Sequence, residues 1–166
     1  MTEIIVRPSR EDDITAITEI YAYEVLQGTA SFDELPPSAE KMLEKRATIL
    51  SHGFPYMVAE VDGEVVAYSY VSPYRKRSAY SNTVENAIYV NPEKRISGIG
   101  YKLLSAVLKE CEKTDIKQII AVIGDSDNMA SIKLHKKLEF RTVGTLRDVG
   151  FKFGRWLDSV LMQKTL

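Results

Sequence analysis

Arg95, Gly98 and Gly100 stand in the order R-x-x-G-x-G between a strand-like run and a helix-like run. That arrangement suits an anion. A helix start carries N–H groups without intrahelical partners, and the helix dipole adds a partial positive charge. Glycines let the backbone come close to a bulky anion, and a guanidinium adds a forked, charge-assisted contact. Ser97 lies in the same loop. On spacing alone, a tight strand-to-helix turn with an incidental arginine fits as well. Two other phosphate loops are excluded, because no G-x-G-x-x-G is completed and no G-K-[ST] follows the glycines.

Four more groups of residues could do chemistry. Glu85 sits on the strand-like run leading into the loop, where a lone glutamate is more often solvated or ion-paired than a base. Downstream, at about 100° per residue, Asn128, Ser131 and His135 share one polar stripe of a helix. An imidazole titrates near neutrality and could carry a proton, and its plainer reading is a satisfied histidine at a core edge. Thr29, Ser31 and Phe32 form a polar-aromatic cluster in GTASFDELPPS, where a capped connector is the simpler reading. Arg75, Arg77 and Tyr80 lie on a short basic, aromatic loop, either solvated or a wall that receives an anionic group. His52, at the end of a surface helix, reads as structural. Lys102 and Lys133 read as solvated helix lysines, and Phe151, Phe153 and Trp156 as core.

The elements that must position these side chains are punctuated clearly. Ile4 to Arg7 reads as a strand stopped by Pro8. Ser9 and Asp12 resemble a capping box before a helix carrying Ile14, Ile17, Tyr21 and Val25, which Gly28 ends. Ser38 caps a second helix that stops near Gly53. Asp62-Gly63 joins two strands, because Asp-Gly tolerates the positive φ of a type I′ turn. Thr83 to Val90 is a strand stopped by Asn91-Pro92. Ile99, Leu103, Leu104, Val107, Leu108 and Cys111 then mark the apolar side of a helix. Gln118 to Ile123 is a buried strand, followed by a helix from Asn128 to Leu138. In that helix Ala130, Leu134 and Leu138 form an apolar stripe, with Lys133, Lys136 and Lys137 pointing elsewhere. Two last strands span Arg141 to Val149 and Arg155 to Gln163, with Gly150 and Gly154 in the connection. The pattern predicts an α+β fold: a mixed, mostly antiparallel central sheet with helices on both faces.

Composition narrows the function classes. The 166 residues suit one domain, 1–166, with 45% apolar and 27% charged residues. Lys plus Arg is 22 against 23 for Asp plus Glu, a net charge of −1 that leaves no electrostatic footprint for nucleic acid. The one cysteine, Cys111, cannot form an internal disulfide and reads as a buried structural thiol in a reducing compartment. MTEIIVRPS is not an apolar signal segment and no run approaches membrane-spanning length, so the expectation is a cytoplasmic protein without membrane contact.

Taken together, these motifs resemble a known family. R-x-x-G-x-G resembles the pyrophosphate loop of the GNAT acetyltransferase superfamily. Asn128, Ser131, Leu134 and His135 match its N-x-x-[AS]-x-x-L-[YH] helix. The usual G-F ending is replaced by Glu139-Phe140, which puts the local turn in question. TVENAIYV, SIKLHKKLEF and GFKFGRWLD narrow the resemblance to the phosphinothricin, methionine sulfone and methionine sulfoximine N-acetyltransferases, over about Ile4 to Gln163.

The resemblance implies acetyl-CoA as donor, a small free amino acid as acceptor, no metal, and a homodimer. It implies that Arg95, Ser97, Gly98, Ile99, Gly100 and Tyr101 hold acetyl-CoA. Asn128 and Ser131 would touch the pantetheine arm or hold its neighbouring strand. A backbone N–H near Ile88, Tyr89 or Val90 would meet the oxyanion at a splayed strand. Glu85 would be the general base, and His135 would protonate the leaving thiolate or relay a proton. Thr29, Ser31, Phe32, Arg75, Arg77 and Tyr80 would surround the acceptor, with Trp156 and Asp158 near that pocket or a dimer contact. Two other activities share these motifs: acetylation of protein or peptide amines, and non-catalytic binding of acyl-CoA.

Overall fold

A computed structural model of the chain describes residues 2–166. Seven strands form one sheet in the order β1-β2-β3-β4-β5-β7-β6. They span Ile5–Pro8, Tyr56–Val61, Glu64–Pro73, Thr83–Val90, Gln118–Gly124, Arg141–Lys152 and Arg155–Thr165 for β1 to β7. Every neighbouring pair is antiparallel except β4 with β5. Four helices complete the fold: α1 (Ile14–Gln27), α2 (Ala39–Ser51), α3 (Ile99–Cys111) and α4 (Met129–Lys137).

Strand periodicity divides the core into two layers. On β2, Tyr56 and Val58 face one way, packing with Ile17 and Ile20 of α1 and Met42 and Ile49 of α2. Met57 and Ala59 face the other way, into a cluster with Leu103, Leu104 and Val107 of α3 that extends to Ile132 and Leu138 at α4. Alternate side chains of one strand thus bury against different helices, as the two-residue period requires. The expected α+β fold, a mostly antiparallel sheet covered on both faces, is what the chain forms.

Local signals act as read, with four exceptions. Ser38 Oγ accepts from Lys41 N at 3.2 Å, a cap worth about 1 kcal/mol. Asp62 and Gly63 both have positive φ, 50° and 80°, as the hairpin turn demands. The box at the start of α1 is shifted from Ser9/Asp12: Asp13 accepts from Arg10 N at 2.7 Å, and Ser9 is held by Arg46 instead. Gly150 does not lie in the final turn. It pairs with Leu157 inside β6, and Phe153-Gly154 makes the reversal with φ of 54° and 73°. In α4 the buried apolar residue is Ile132, whereas Ala130 and Leu134 line a surface cleft together with Lys133 and Lys137. Phe151, Phe153 and Trp156 are not core: they are 56%, 56% and 63% exposed.

Candidate active site

The site originates in a sheet that opens. The parallel pairing of β4 with β5 runs from Thr83↔Gln118 to Asn86↔Ala121 and stops there, although β4 continues to Val90 and β5 to Gly124. Beyond Asn86, the β4 backbone groups that face β5 therefore have no strand partner, while β4 stays paired with β3 as far as Val90. Two contiguous cavities occupy the gap. The smaller, about 270 Å³, is lined by Ala87 and Ile88 of β4, Val122 and Gly124 of β5, and Tyr21 and Tyr70. The larger, about 760 Å³, runs along Ile88, Tyr89 and Val90 to Arg95, Gly98 and Gly100. Ala30, Ile88, Tyr89, Asn128 and Ser131 border both.

Glu85 lines the smaller cavity, half-buried. Burial pushes its carboxyl above the ordinary range, and the charges of Arg75 and Lys45 pull it partly back. Glu85 and Lys45 are the carboxylate and the ammonium of this cavity. The Lys45 ammonium lies over the Tyr70 ring, 5.1 Å from its centroid. Lys45 is the functional candidate that reading the sequence missed. It lies on the exposed side of α2 among other charges, and only the packing of α2 beside β3 brings it to the cavity. Tyr21 and Tyr70 were likewise legible only as helix and strand residues.

His135 lines the smaller cavity but is only 2% exposed. Its Nδ1 lies 2.7 Å from the Ser131 carbonyl and its Nε2 3.1 Å from the Asn86 amide nitrogen. Burial lowers its pKa, and the contact with Ser131 raises it in part. Its ring also meets Phe140 edge-on, with centroids 4.9 Å apart. Asn128 caps α4, accepting from Ser131 N at 3.3 Å, so both residues are held by each other as well as facing the cavities.

At the mouth of the larger cavity, Gly98 has φ 89° and opens α3, and nothing within 4 Å would meet a Cβ there. Gly100, the second residue of α3, would bring a Cβ 3.2 Å from Leu134 of α4. Arg95, Ile99 and Tyr101 line this cavity as well, and Lys137 stacks over the Tyr101 ring at 4.7 Å. Lys133 joins the wall, whereas Lys102 turns away and donates to the Ile4 carbonyl. Ser97 is exposed in the loop and does not line the cavity.

The expected acceptor residues are divided. Thr29 borders the larger cavity and donates to Asp125 at 2.9 Å. Ser31 is buried, 2.9 Å from the Tyr21 hydroxyl, and Phe32 packs against Gly124 and Gly150, so Ala30 is the residue of this loop that faces the smaller cavity. Arg75 stacks on Tyr74 at 4.2 Å and reaches Glu85 through its charge alone. Tyr80 meets Tyr74 edge-on at 5.8 Å, and Arg77 precedes a 3₁₀ turn. Neither lines the cavity. His52 stacks on Phe54, centroids 5.4 Å apart, and the buried Cys111 thiol is pushed up to about 12 by desolvation, so both are structural. Among the described residues, no cluster of three His, Cys, Asp or Glu side chains could hold a metal ion, and no helix is long and apolar enough to cross a membrane.

The acetyltransferase (GNAT) domain family matches residues 6–161. A phosphinothricin N-acetyltransferase of Alcaligenes faecalis is 48% identical over 161 residues, covering 97% of this chain and 82% of that one. An L-methionine sulfoximine/L-methionine sulfone acetyltransferase of Salmonella typhimurium is 35% identical, covering 97% and 94%. Among solved structures, a GNAT superfamily phosphinothricin acetyltransferase from Sinorhizobium meliloti, in complex with AcCoA, superposes with a TM-score of 0.95. It is 42% identical and covers 98% of this chain and 88% of that one.

Proposed function

The chain belongs to the GNAT acetyltransferase family, and on that premise we propose that it moves the acetyl group of acetyl-CoA to the α-amine of a small amino acid analogue of the phosphinothricin, methionine sulfoximine or methionine sulfone kind. One observation carries this reading: the gap between β4 and β5 joins a long cleft, ending at a glycine-rich helix start, to a small cavity holding a raised-pKa carboxylate.

The larger cavity suits acetyl-CoA. The first turn of α3, with Gly98 and Gly100, offers backbone donors to a pyrophosphate. Arg95, Lys133 and Lys137 add positive charge along the same wall. The pantetheine arm then runs past Ile88, Tyr89 and Val90 towards Asn128 and Ser131. The smaller cavity, at the small end of ligand pockets, takes an amino acid rather than a folded protein surface.

In the reaction the acceptor's ammonium gives a proton to Glu85, directly or through water. The free nitrogen attacks the thioester carbon, a C–N bond forms, the C–S bond breaks, and the proton that the nitrogen sheds on becoming an amide passes to the CoA thiolate. A carboxyl raised towards the working pH is a better base than an ordinary one. Unpaired amides of β4 beyond Asn86 stabilise the oxyanion. His135, held on Ser131 and Asn86, keeps the residue beside Glu85 in place. The acceptor's carboxylate sits between Lys45 and Arg75, the two cations that Glu85 feels.

The protein acts as one domain, 1–166, in the cytoplasm, as a homodimer. Support for the second copy comes from the apolar outer face of the last hairpin. There Val149 and Phe151 stand two residues apart on β6 and Trp156 is the cross-strand partner of Phe151. The test is a release assay for CoA thiol across free amino acids, their phosphinic, sulfone and sulfoximine analogues, polyamines and peptides. The analogues should be turned over best. A preference for peptides or polyamines overturns the acceptor assignment, and acetyl-CoA binding without turnover of any amine favours a non-catalytic module.

A further inference from the structure

The wall between the two cavities is the loop after α1, and it is fastened from an unexpected side. Lys152, near the tip of the β6–β7 hairpin, is 2% exposed. Its ammonium donates to the Gly28 carbonyl at 2.8 Å and to the Ser31 carbonyl at 2.7 Å. The Phe153 ring lies 5.0 Å from the same nitrogen. An ammonium has three N–H donors, and here two carbonyls and an aromatic face receive them. Lysine is almost never fully buried, and an apolar side chain of similar length would fill this space without desolvating a charge. The chain nevertheless keeps the charge where two loop carbonyls converge. Glu24, Asp33 and Glu34 favour its charged form against the desolvation that lowers its pKa.

A second device on the same hairpin presses on the same loop. The Phe32 ring packs against Gly124 of β5 and Gly150 of β6. A Cβ at Gly150 would come within 2.5 Å of Phe32 Cε2, and one at Gly124 within 2.9 Å of Phe32 Cε1. Gly150 has no positive φ to explain it, so its role is close approach. Between these fixed points stands Ala30, which borders both cavities and whose N–H donates to Glu24 Oε1 at 2.9 Å. Any shift of the loop moves Ala30 across the passage between them.

We propose that Lys152 is a positioning residue for acceptor binding, a buried ammonium that locks residues 28–32 so that Ala30 forms the acceptor-side wall. The proposal rests on reading the smaller cavity as the acceptor site. The experiment measures kcat and KM for methionine sulfoximine, and KM for acetyl-CoA, in wild type, Lys152→Met and Gly150→Ala. Both variants should raise the acceptor KM about tenfold or more, because small misplacements at a reacting centre are costly, and the acetyl-CoA KM by a smaller factor, since Gly28, Thr29 and Ala30 also border the larger cavity. Should Lys152→Met fail to fold, Lys152→Gln, which keeps a donor nitrogen and drops the charge, carries the same comparison. Unchanged acceptor KM in folded variants overturns the role of Lys152, as does a rise confined to acetyl-CoA, which would make the loop a wall of the donor cleft. A wild type that binds acetyl-CoA but acetylates no amino acid analogue overturns the acceptor reading itself, and the Lys152 proposal with it.

Discussion

His135 and Asn86 form a buried pair, imidazole Nε2 to amide nitrogen at 3.1 Å. The amide nitrogen can only donate and the Ser131 carbonyl beside Nδ1 can only accept. Both contacts are satisfied together by one form of the ring, neutral and protonated on Nδ1. In that form His135 aims no N–H at the cavity. In the reading proposed above it therefore takes a part in holding Asn86 next to Glu85 rather than in returning a proton to the thiolate.

A stability consequence follows from the same pair. Burial depresses the pKa of His135 in the folded state, so the unfolded chain binds the proton more readily. The stabilisation is complete above the ordinary histidine value of about 6.5 and is lost as pH falls through it towards the folded value. Urea midpoints from pH 8 to 5 should decline more steeply for the wild type than for His135→Gln. Parallel declines would show that His135 is not the titrating group. Turnover of His135→Gln should fall, with acetyl-CoA binding by calorimetry largely kept.

Glu85 has the opposite sign. Its folded pKa is raised, chiefly by desolvation, so the folded state resists its ionisation. Its contribution to stability is complete below the ordinary carboxylate range and is lost as pH rises through the raised value. Glu85→Gln should therefore melt higher than wild type at pH 7 and equal it near pH 4. The same variant should lose about 10²–10⁴-fold in kcat, the usual scale for a general base. That loss should shrink at alkaline pH, where free amine becomes abundant. A variant as active as wild type at pH 7 would remove Glu85 from the mechanism.

The departure at Glu139-Phe140 has a measurable cost. Glu139 has φ 68°, the left-handed region that the family's usual glycine occupies freely. A side chain there costs roughly 1–2 kcal/mol, and glycine returns part of that through the entropy of the unfolded chain. The carboxylate gains little in exchange, since its contact with Lys164 is 3.5 Å long with the Glu139 side chain 87% exposed. Glu139→Gly should stabilise the protein by about 0.5–1 kcal/mol in chemical denaturation, without changing kcat. A loss of stability would mean that Glu139 has a partner worth more than the strain.

How much of this was legible in the sequence depended on range. Caps, turns and strand stops are local, so Ser38, Asp62-Gly63 and Asn91-Pro92 could be placed from their neighbours alone. The anion loop was legible for the same reason, because Arg95, Gly98 and Gly100 are close in sequence as well as in space. What failed depends on packing between distant segments. Gly150 looked like a turn residue because nothing nearby announces that Phe32 needs its missing side chain. Phe151 and Trp156 looked like core because composition does not tell an inner face from an outer one. The arginine loop before β4 drew attention by its charge density, whereas Lys45 is an ordinary helix lysine until α2 is folded against β3.

That contrast sets the last prediction. Reading the sequence placed Arg75 and Arg77 together around the acceptor, but the structure separates them. Lys45 lines the cavity and Arg75 reaches it through its charge, while Arg77 does neither. If the acceptor's carboxylate lies between Lys45 and Arg75, Lys45→Met should raise the acceptor KM about tenfold, the scale of one lost charge-assisted contact. Arg75→Ala should do so less, because its exposed guanidinium is screened by solvent. Arg77→Ala should leave the KM unchanged, and all three should keep the acetyl-CoA KM. The sharper arm uses substrate chemistry: decarboxylated analogues of the same amino acids should lose their handicap in Lys45→Met, since the missing carboxylate no longer has a partner to miss. Steady-state constants for each substrate with each variant decide the matter. A tenfold effect at Arg77, with none at Lys45, would return the acceptor to the basic loop and place its carboxylate outside the cavity.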